Sequence, residues 1–183
     1  MAFWSDSISE PRRNFKFSVD LGGGEEFIPV YTVMSTNLPT VTIGEASVNY
    51  LNHTFYYPGR VAFNTIGIRL IDAIDEEISS KLLQKISDAG YKVPSSQTEA
   101  QTSLTPKSAL GLGNVELKQL GGGNNGLNKR AVYTLKNAWI KDVNFEQSLD
   151  YGNESVSGIA ITLRYDFFTF AVDGAAPTGF QGA

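Results

Sequence analysis

Few residues in this chain are equipped for chemistry, and their spacing argues against most of what they suggest. His53 is the only histidine, and there is no cysteine. A nucleophile–base pair would have to use His53, yet no Gly-x-Ser-x-Gly elbow occurs to present a serine to it. A metal site with one imidazole and no thiolate needs several carboxylates converging on it. His53 instead lies beside Phe55, Tyr56 and Tyr57 and reads as a packing or interface residue. Gly121, Gly123 and Gly126 match the spacing of a dinucleotide-binding loop, which works only where a helix begins and its amides meet the pyrophosphate. Here the chain continues through Leu127, Asn128, Lys129 and Arg130 toward a strand, so the glycines read as a flexible turn. Asp72, Asp75, Glu76 and Glu77 could pass for an acid/base or metal cluster. A place at the start of a helix, where the dipole favours negative charge, explains them without chemistry. Asn52-His53-Thr54 and Asn153-Glu154-Ser155 have the glycosylation pattern, which means nothing without secretion. Lys129-Arg130 is too short for a nucleic-acid patch. The residues therefore predict no catalytic, cofactor-binding or metal-ligating set: a protein that is not an enzyme and needs no cofactor.

The elements that would position these residues are mostly strands. The chain has 183 residues, 42% hydrophobic and 19% charged, enough for one domain with a continuous core. Its 8 Tyr, 11 Phe and 18 Gly suit strands joined by tight turns. Phe15, Phe17, Val19 and Leu21 alternate with polar residues and predict a strand with one buried face. Gly22-Gly23-Gly24 turns the chain, and Phe27 to Thr36 resumes as extended structure. Val41 to Tyr57 is extended apart from Gly44, Pro58-Gly59 signals a turn, and Val61 to Ile71 returns. Residues 46–71 thus predict a long β-hairpin. Ile71, Ile74, Ile78, Leu82 and Ile86 form one helical stripe, with Asp72 as its N-cap, and Gly90 and Pro94 ending it. Residues 93–114 are rich in Ser, Thr, Pro and Gly and read as a long loop. Val115 to Leu120 is a short strand before the glycine run, so 93–130 forms a long, mainly irregular region. Ala131–Phe145 and Ser157–Phe170 predict a final strand pair, with Ile159, Ile161, Leu163, Tyr165 and Phe167 sharing one face. Residues 1–13 read as an arm and 171–183 as a loose tail. The expected fold is a single mainly β domain over 1–183, a β-sandwich or barrel with long hairpins and one amphipathic helix.

Charge and composition bound the partners. The net charge of −4 weighs against wrapping DNA through phosphate neutralisation, though an acidic wall can guide DNA by repelling it. No apolar run approaches the roughly 18 residues of a membrane span. The N-terminus lacks the basic and apolar regions of a secretory signal, and the lack of cysteine fits folding in a reducing cytoplasm.

Three segments together resemble the tail tube proteins of contractile, T4-like bacteriophages. The first is Ser35-Thr36-Asn37-Leu38-Pro39, a Leu-Pro turn after a strand. The second is Asn52-His53 followed by Pro58-Gly59-Arg60 and Phe63, a strand-turn-strand pattern with Gly59 expected at the tip. The third is Trp139 with Val143, joined to the closing strand Ile159, Ile161, Leu163 and Asp166. Their order agrees from about Asn14 to Phe170. The resemblance implies a hexameric ring in which hairpins join edge to edge around a lumen, with rings stacked head to tail into a conduit for DNA. It places the protein in the virion tail, assembled in the host bacterial cytoplasm. It also implies as partners copies of itself, the tail sheath protein, the baseplate tube-initiator, the tape-measure and tail terminator proteins, and genomic DNA passing without sequence-specific contact. Leu38, Pro39, Asn52, His53, Gly59, Arg60, Trp139 and Asp166 are the assembly residues the resemblance singles out.

Two other readings fit the pattern. A baseplate initiator or secretion-system ring would share the fold; an initiator is expected to carry an extra baseplate-binding domain, for which this chain has no room. A monomeric ligand-binding β-sandwich would use Phe55, Tyr56, Tyr57 and Tyr91 as a stacking platform.

Overall fold

Alternating apolar residues give this chain its strands, and the breaks in alternation show where the strands bend. The computed structural model describes residues 12–22, 27–88, 111–121, 131–145, 150–152, 154–172 and 178–179. The strands are β1 (Phe17–Asp20), β2 (Val33–Thr36), β3 (Val41–Tyr50), β4 (His53–Phe63), β5 (Ile66–Ile71), β6 (Gly111–Gln119), β7 (Ala131–Asn144), β8 (Gly158–Arg164), β9 (Phe167–Val172) and β10 (Thr178–Gly179). One α-helix, α1 (Ile78–Asp88), follows β5. The protein is mainly β, as expected, and takes a sandwich- or barrel-like form.

Eight strands form one antiparallel sheet in the order β1-β6-β7-β8-β5-β2, with β9 pairing both β7 and β10. Strand β7 is the spine. Residues Ala131 to Lys136 pair with β9, and Trp139 to Asn144 pair with β8. The sheet therefore bends between these halves and encloses a core. Ile66, Ile68 and Leu70 of β5 face Leu163, Ile161 and Ile159 of β8 across the register, all of them buried. Val115 and Leu117 of β6, Leu135 and Ile140 of β7, and Val19 and Leu21 belong to the same cluster. Ile78 and Leu82 of α1 are fully buried in it. Truncating any of these leucines or isoleucines to Ala would cost about 2–5 kcal/mol.

Several boundaries differ from the sequence reading, each for a local reason. Phe15 precedes β1 and is exposed. Between Phe27 and Thr36 only Val33–Thr36 is a strand. Pro29 has no N–H to donate, and a 3-10 turn follows at Val30–Thr32, with the Thr32 amide and hydroxyl both donating to the Pro29 carbonyl. The strand expected to begin at Val115 starts at Gly111, inside the stretch read as loop.

The helix also starts later than its stripe suggests. Ile74–Glu76 is a separate 3-10 turn, and Glu77 takes a left-handed φ of 45° before α1. Ile74 consequently points to solvent and is not part of the buried stripe. Asp72 is not the cap of a helix at 73; it accepts a hydrogen bond from Ser79 Oγ at 2.7 Å. The acidic residues thus crowd the 3-10 turn rather than the first turn of α1.

The closing strand is two strands. Tyr165 and Asp166 interrupt it, so Phe168 rather than Phe167 continues onto the core side. Residues read as a loose tail include the end of β9 and the short β10, which pairs Thr178 with Phe170. The arm 1–11, Gly90, Tyr91, Pro94, the glycines Gly123 and Gly126, and Asn153 lie outside the described residues.

Candidate assembly surface

The most distinctive feature is a ribbon of two long strands that belongs to no larger sheet. Among the described residues β3 and β4 pair only with each other, over nine register pairs from Val41↔Phe63 to Tyr50↔His53. Every residue of β3 is exposed, and on β4 only Thr54 and Phe63 are partly covered. The turn at the tip is Leu51-Asn52, with Leu51 at φ 53°. This corrects the expected hairpin, which was 46–71 with Pro58-Gly59 at its tip. Two-residue hairpin turns require positive φ to match strand twist, and Leu51 supplies it despite its Cβ. Pro58 and Gly59 lie inside β4, on a free edge where a missing N–H is tolerated.

What they form there is a bulge. Ile43 pairs with Val61, but the next pair is Glu45 with Pro58, so Gly59 and Arg60 together oppose Gly44. A Cβ on Gly59 would come within 3.0 Å of the Gly44 backbone, which explains a glycine at this crossing.

The root of the ribbon is anchored to the body. Phe63 packs at 5.9 Å on Phe168 and 6.3 Å on Tyr165. Asn64 Nδ2 donates to the hydroxyls of Thr40 (3.1 Å) and Thr42 (2.8 Å), and its amide donates to the Thr40 carbonyl. Leu38 and Pro39 sit in the link from β2 to β3, next to Asn37, whose amide donates to the Gly67 carbonyl. They lie where the chain leaves the sheet for the ribbon.

The singled-out residues therefore fall into two groups. Leu38, Pro39, Asn52, His53, Gly59 and Arg60 are all on the ribbon or its link. Trp139 and Asp166 are on the body, at the bend between the two halves of the sheet. There Asn137 takes a φ of 53°, its Nδ2 donates to Asp166 Oδ2 at 2.9 Å, and the Asp166 amide donates to the Lys136 carbonyl. Asp166 thus pins β7 to the β8–β9 corner. The structure does not bring the two groups into contact with each other through any of these bonds.

His53 packs edge-on against Phe55 with centroids 4.6 Å apart. Among the described residues no group of three or more His, Cys, Asp or Glu is placed to hold a metal. Phe55 and Tyr57 share one side of β4 and Tyr56 lies on the other, so the three do not form one stacking platform. No helix among the described residues is long and apolar enough to cross a membrane.

A second polar cluster ties β2's approach to the helix. Tyr31 donates its hydroxyl to Glu76 Oε1 at 2.7 Å, and Lys81 Nζ reaches Glu76 Oε2 at 2.9 Å. The Tyr31 hydrogen bond, then that of Lys81, hold the Glu76 carboxyl below its ordinary range. Lys85 lies 5.7 Å above the Phe27 ring. This cluster fastens the 3-10 turn to α1.

The chain superposes on a chain of the anti-feeding prophage tube-terminating cap with a TM-score of 0.61 at 15% identity, over 93% of this chain and 99% of that one. It matches a chain of the sheath/tube terminator of the extracellular contractile injection system PVC with a TM-score of 0.60 at 16% identity, over 90% and 99%. A chain of the PVC sheath–tube complex gives 0.53 at 14% identity, over 93% and 98%. The chain shares its fold with chains of contractile injection systems. No family model matches the sequence, and the comparison with curated proteins gives no match. The likeness is thus one of fold over nearly the whole chain, at identities too low to carry residue roles.

Proposed function

We propose that this chain is a structural, tube-type ring subunit of a contractile injection machine, and specifically that it stacks as hexameric rings into the tail tube of a contractile bacteriophage. The observation that carries this reading is the ribbon: two strands with large apolar side chains exposed and both edges unpaired, on a fold shared with injection-system components. An isolated ribbon of this kind is marginal in water and is an invitation to edge pairing. Ring closure supplies the missing pairs, and head-to-tail stacking extends the assembly without limit. In this reading DNA passes through the lumen without specific contacts, and the sheath, baseplate initiator, tape-measure and terminator proteins meet the outer surface and the ends. The particle is the virion tail, assembled in the bacterial host.

A second reading is a single terminating or initiating ring of the same fold. The matches to the prophage cap and to the PVC terminator favour it. Negative-stain electron microscopy of the purified protein, with light scattering on the same sample, separates the two. Long hollow tubes support the polymerising subunit, and isolated rings that never elongate support the terminator. A monodisperse monomer at millimolar concentration would count against both.

A further inference from the structure

The ribbon carries two apolar surfaces, and they face opposite ways. Near the root, Val41 and Ile43 pair with Phe63 and Val61 and share one side. Beyond the bulge that same side is polar along β3, with Glu45, Ser47 and Asn49 opposite Pro58, Tyr56 and Thr54, and Thr54 Oγ1 donates to Asn49 Oδ1 at 2.8 Å. The apolar residues have moved to the other side, as Ala46–Tyr57, Val48–Phe55 and Tyr50–His53. On β3 the change is a switch from odd to even positions. On β4 the apolar residues stay at odd positions, and the extra residue of the Gly59-Arg60 bulge turns them over.

We infer that each ribbon is clasped between two neighbouring copies of this chain, one packing on the root face (Val41, Ile43, Val61) and another on the tip face (Val48, Tyr50, Phe55, Tyr57). This deepens, and rests on, the reading of the chain as a self-assembling subunit. The protein's own body covers Phe63 at the root and leaves the rest of both surfaces open: Ile43 is 61% exposed and Tyr50 66%. Ten residues per strand project the tip roughly 33 Å from the root, beyond reach of the body it springs from. One whole side of the ribbon is roughly 330 Å² and each apolar face fills only part of a side, well under the ~800 Å² per partner of a stable interface, so one face alone is insufficient and both must be engaged. In a closed or stacked assembly of identical chains every ribbon has the same surroundings, which fills both faces with one kind of partner. A single foreign protein would cover one side and leave the other wet.

Three substitutions of exposed residues test this in the full chain, read by mass photometry and electron microscopy against wild type. Val48→Asp strikes the tip face, Val61→Asp the root face, and Ser47→Asp puts the same charge on the polar side. Thermal melts within a few degrees of wild type establish that each variant folds. Val48→Asp and Val61→Asp should each raise the concentration needed for assembly at least tenfold. The double variant should stay monomeric, and Ser47→Asp should remain within about threefold of wild type. The inference is overturned if either single variant assembles as wild type does, or if Ser47→Asp is as damaging as Val48→Asp. A wild-type protein that never self-associates is a different result, since it removes the subunit reading itself and the clasp with it.

Discussion

At the scale of single residues, two positions test how tightly the body is built. Gly22 sits at φ 60°, and a Cβ there would lie 2.5 Å from the Leu112 carbonyl oxygen and 2.6 Å from that of Asn114. Both obstacles are strand backbone and cannot rotate away. Gly22→Ala should therefore cost about 2–4 kcal/mol from steric overlap and left-handed strain combined, read as a lower urea midpoint. An unchanged midpoint would contradict the described approach of this turn to β6. Tyr165 is the converse case. It is almost wholly buried among Phe63 and Phe168, and its hydroxyl has no hydrogen-bond partner among the described residues. Burial raises its pKa above the ordinary value of 10.0, with nearby Arg164 opposing. The folded state then holds the phenol proton after the unfolded chain has lost it. That contribution to stability is intact below about pH 10 and declines as pH rises further. Tyr165→Phe should leave neutral-pH stability equal or up to about 1 kcal/mol higher, and should flatten the alkaline decline. A destabilised Phe variant at pH 7 would show that the hydroxyl is satisfied after all. The sequence discloses Gly22 as a turn glycine, but not which backbone it approaches. The place of Tyr165 on the buried face is legible from alternation, and its aromatic neighbours, which come from β4 and β9, are not.

At the scale of elements, the sheet's bend depends on a corner made by two strands at once. Asn137 adopts a positive φ opposite the Gly113 irregularity in β6, and its side chain reaches Asp166 on the far strand. Asp166→Ala removes the acceptor for Asn137 and should lower stability by about 1 kcal/mol, since the pair is exposed and partly replaced by water. Hydrogen exchange should quicken first at the amides around Lys136 and Asp166. Uniform exchange across β7 would show that the corner contributes nothing local. Period-two alternation makes β5, β7 and β8 legible with their buried faces, because each is half buried and antiparallel. The ribbon is where sequence reasoning misplaced the turn. Pro58-Gly59 carries the strongest turn chemistry in the segment, whereas Leu51-Asn52 carries little, so local propensity pointed to the wrong pair. Register decided otherwise: nine cross-strand pairs outweigh the cost of one leucine at positive φ. The helix start failed for a similar reason, because Ile74 fits the stripe by spacing while the chain still runs in a 3-10 turn.

For the whole molecule, the division between body and ribbon makes a prediction that neither part makes alone. Among the described residues every buried core residue lies outside 41–62, and Phe63 alone links the ribbon to the core cluster. Folding free energy is dominated by buried apolar area, so the ribbon beyond its bulge should contribute almost nothing to it. Removing residues 45–58 joins Gly44 to Gly59 and leaves Gly44-Gly59-Arg60 as a three-residue loop between paired Ile43 and Val61, a length compatible with a hairpin. The shortened protein should unfold within about 1 kcal/mol of the full chain, with a slightly smaller denaturant slope because less chain is exposed on unfolding. Its self-association should be abolished, not merely weakened, because the tip face is gone and the remaining root face is too small to hold a partner by itself. A body that lost several kcal/mol on this deletion would mean the ribbon folds back onto its own subunit. A body that stayed stable and still formed rings or tubes would move the assembly contacts to the sheet edges at β1 and β2, and the ribbon would need another purpose. Stability retained with assembly lost is the outcome that a chain built as a finished domain plus an outstretched connector requires.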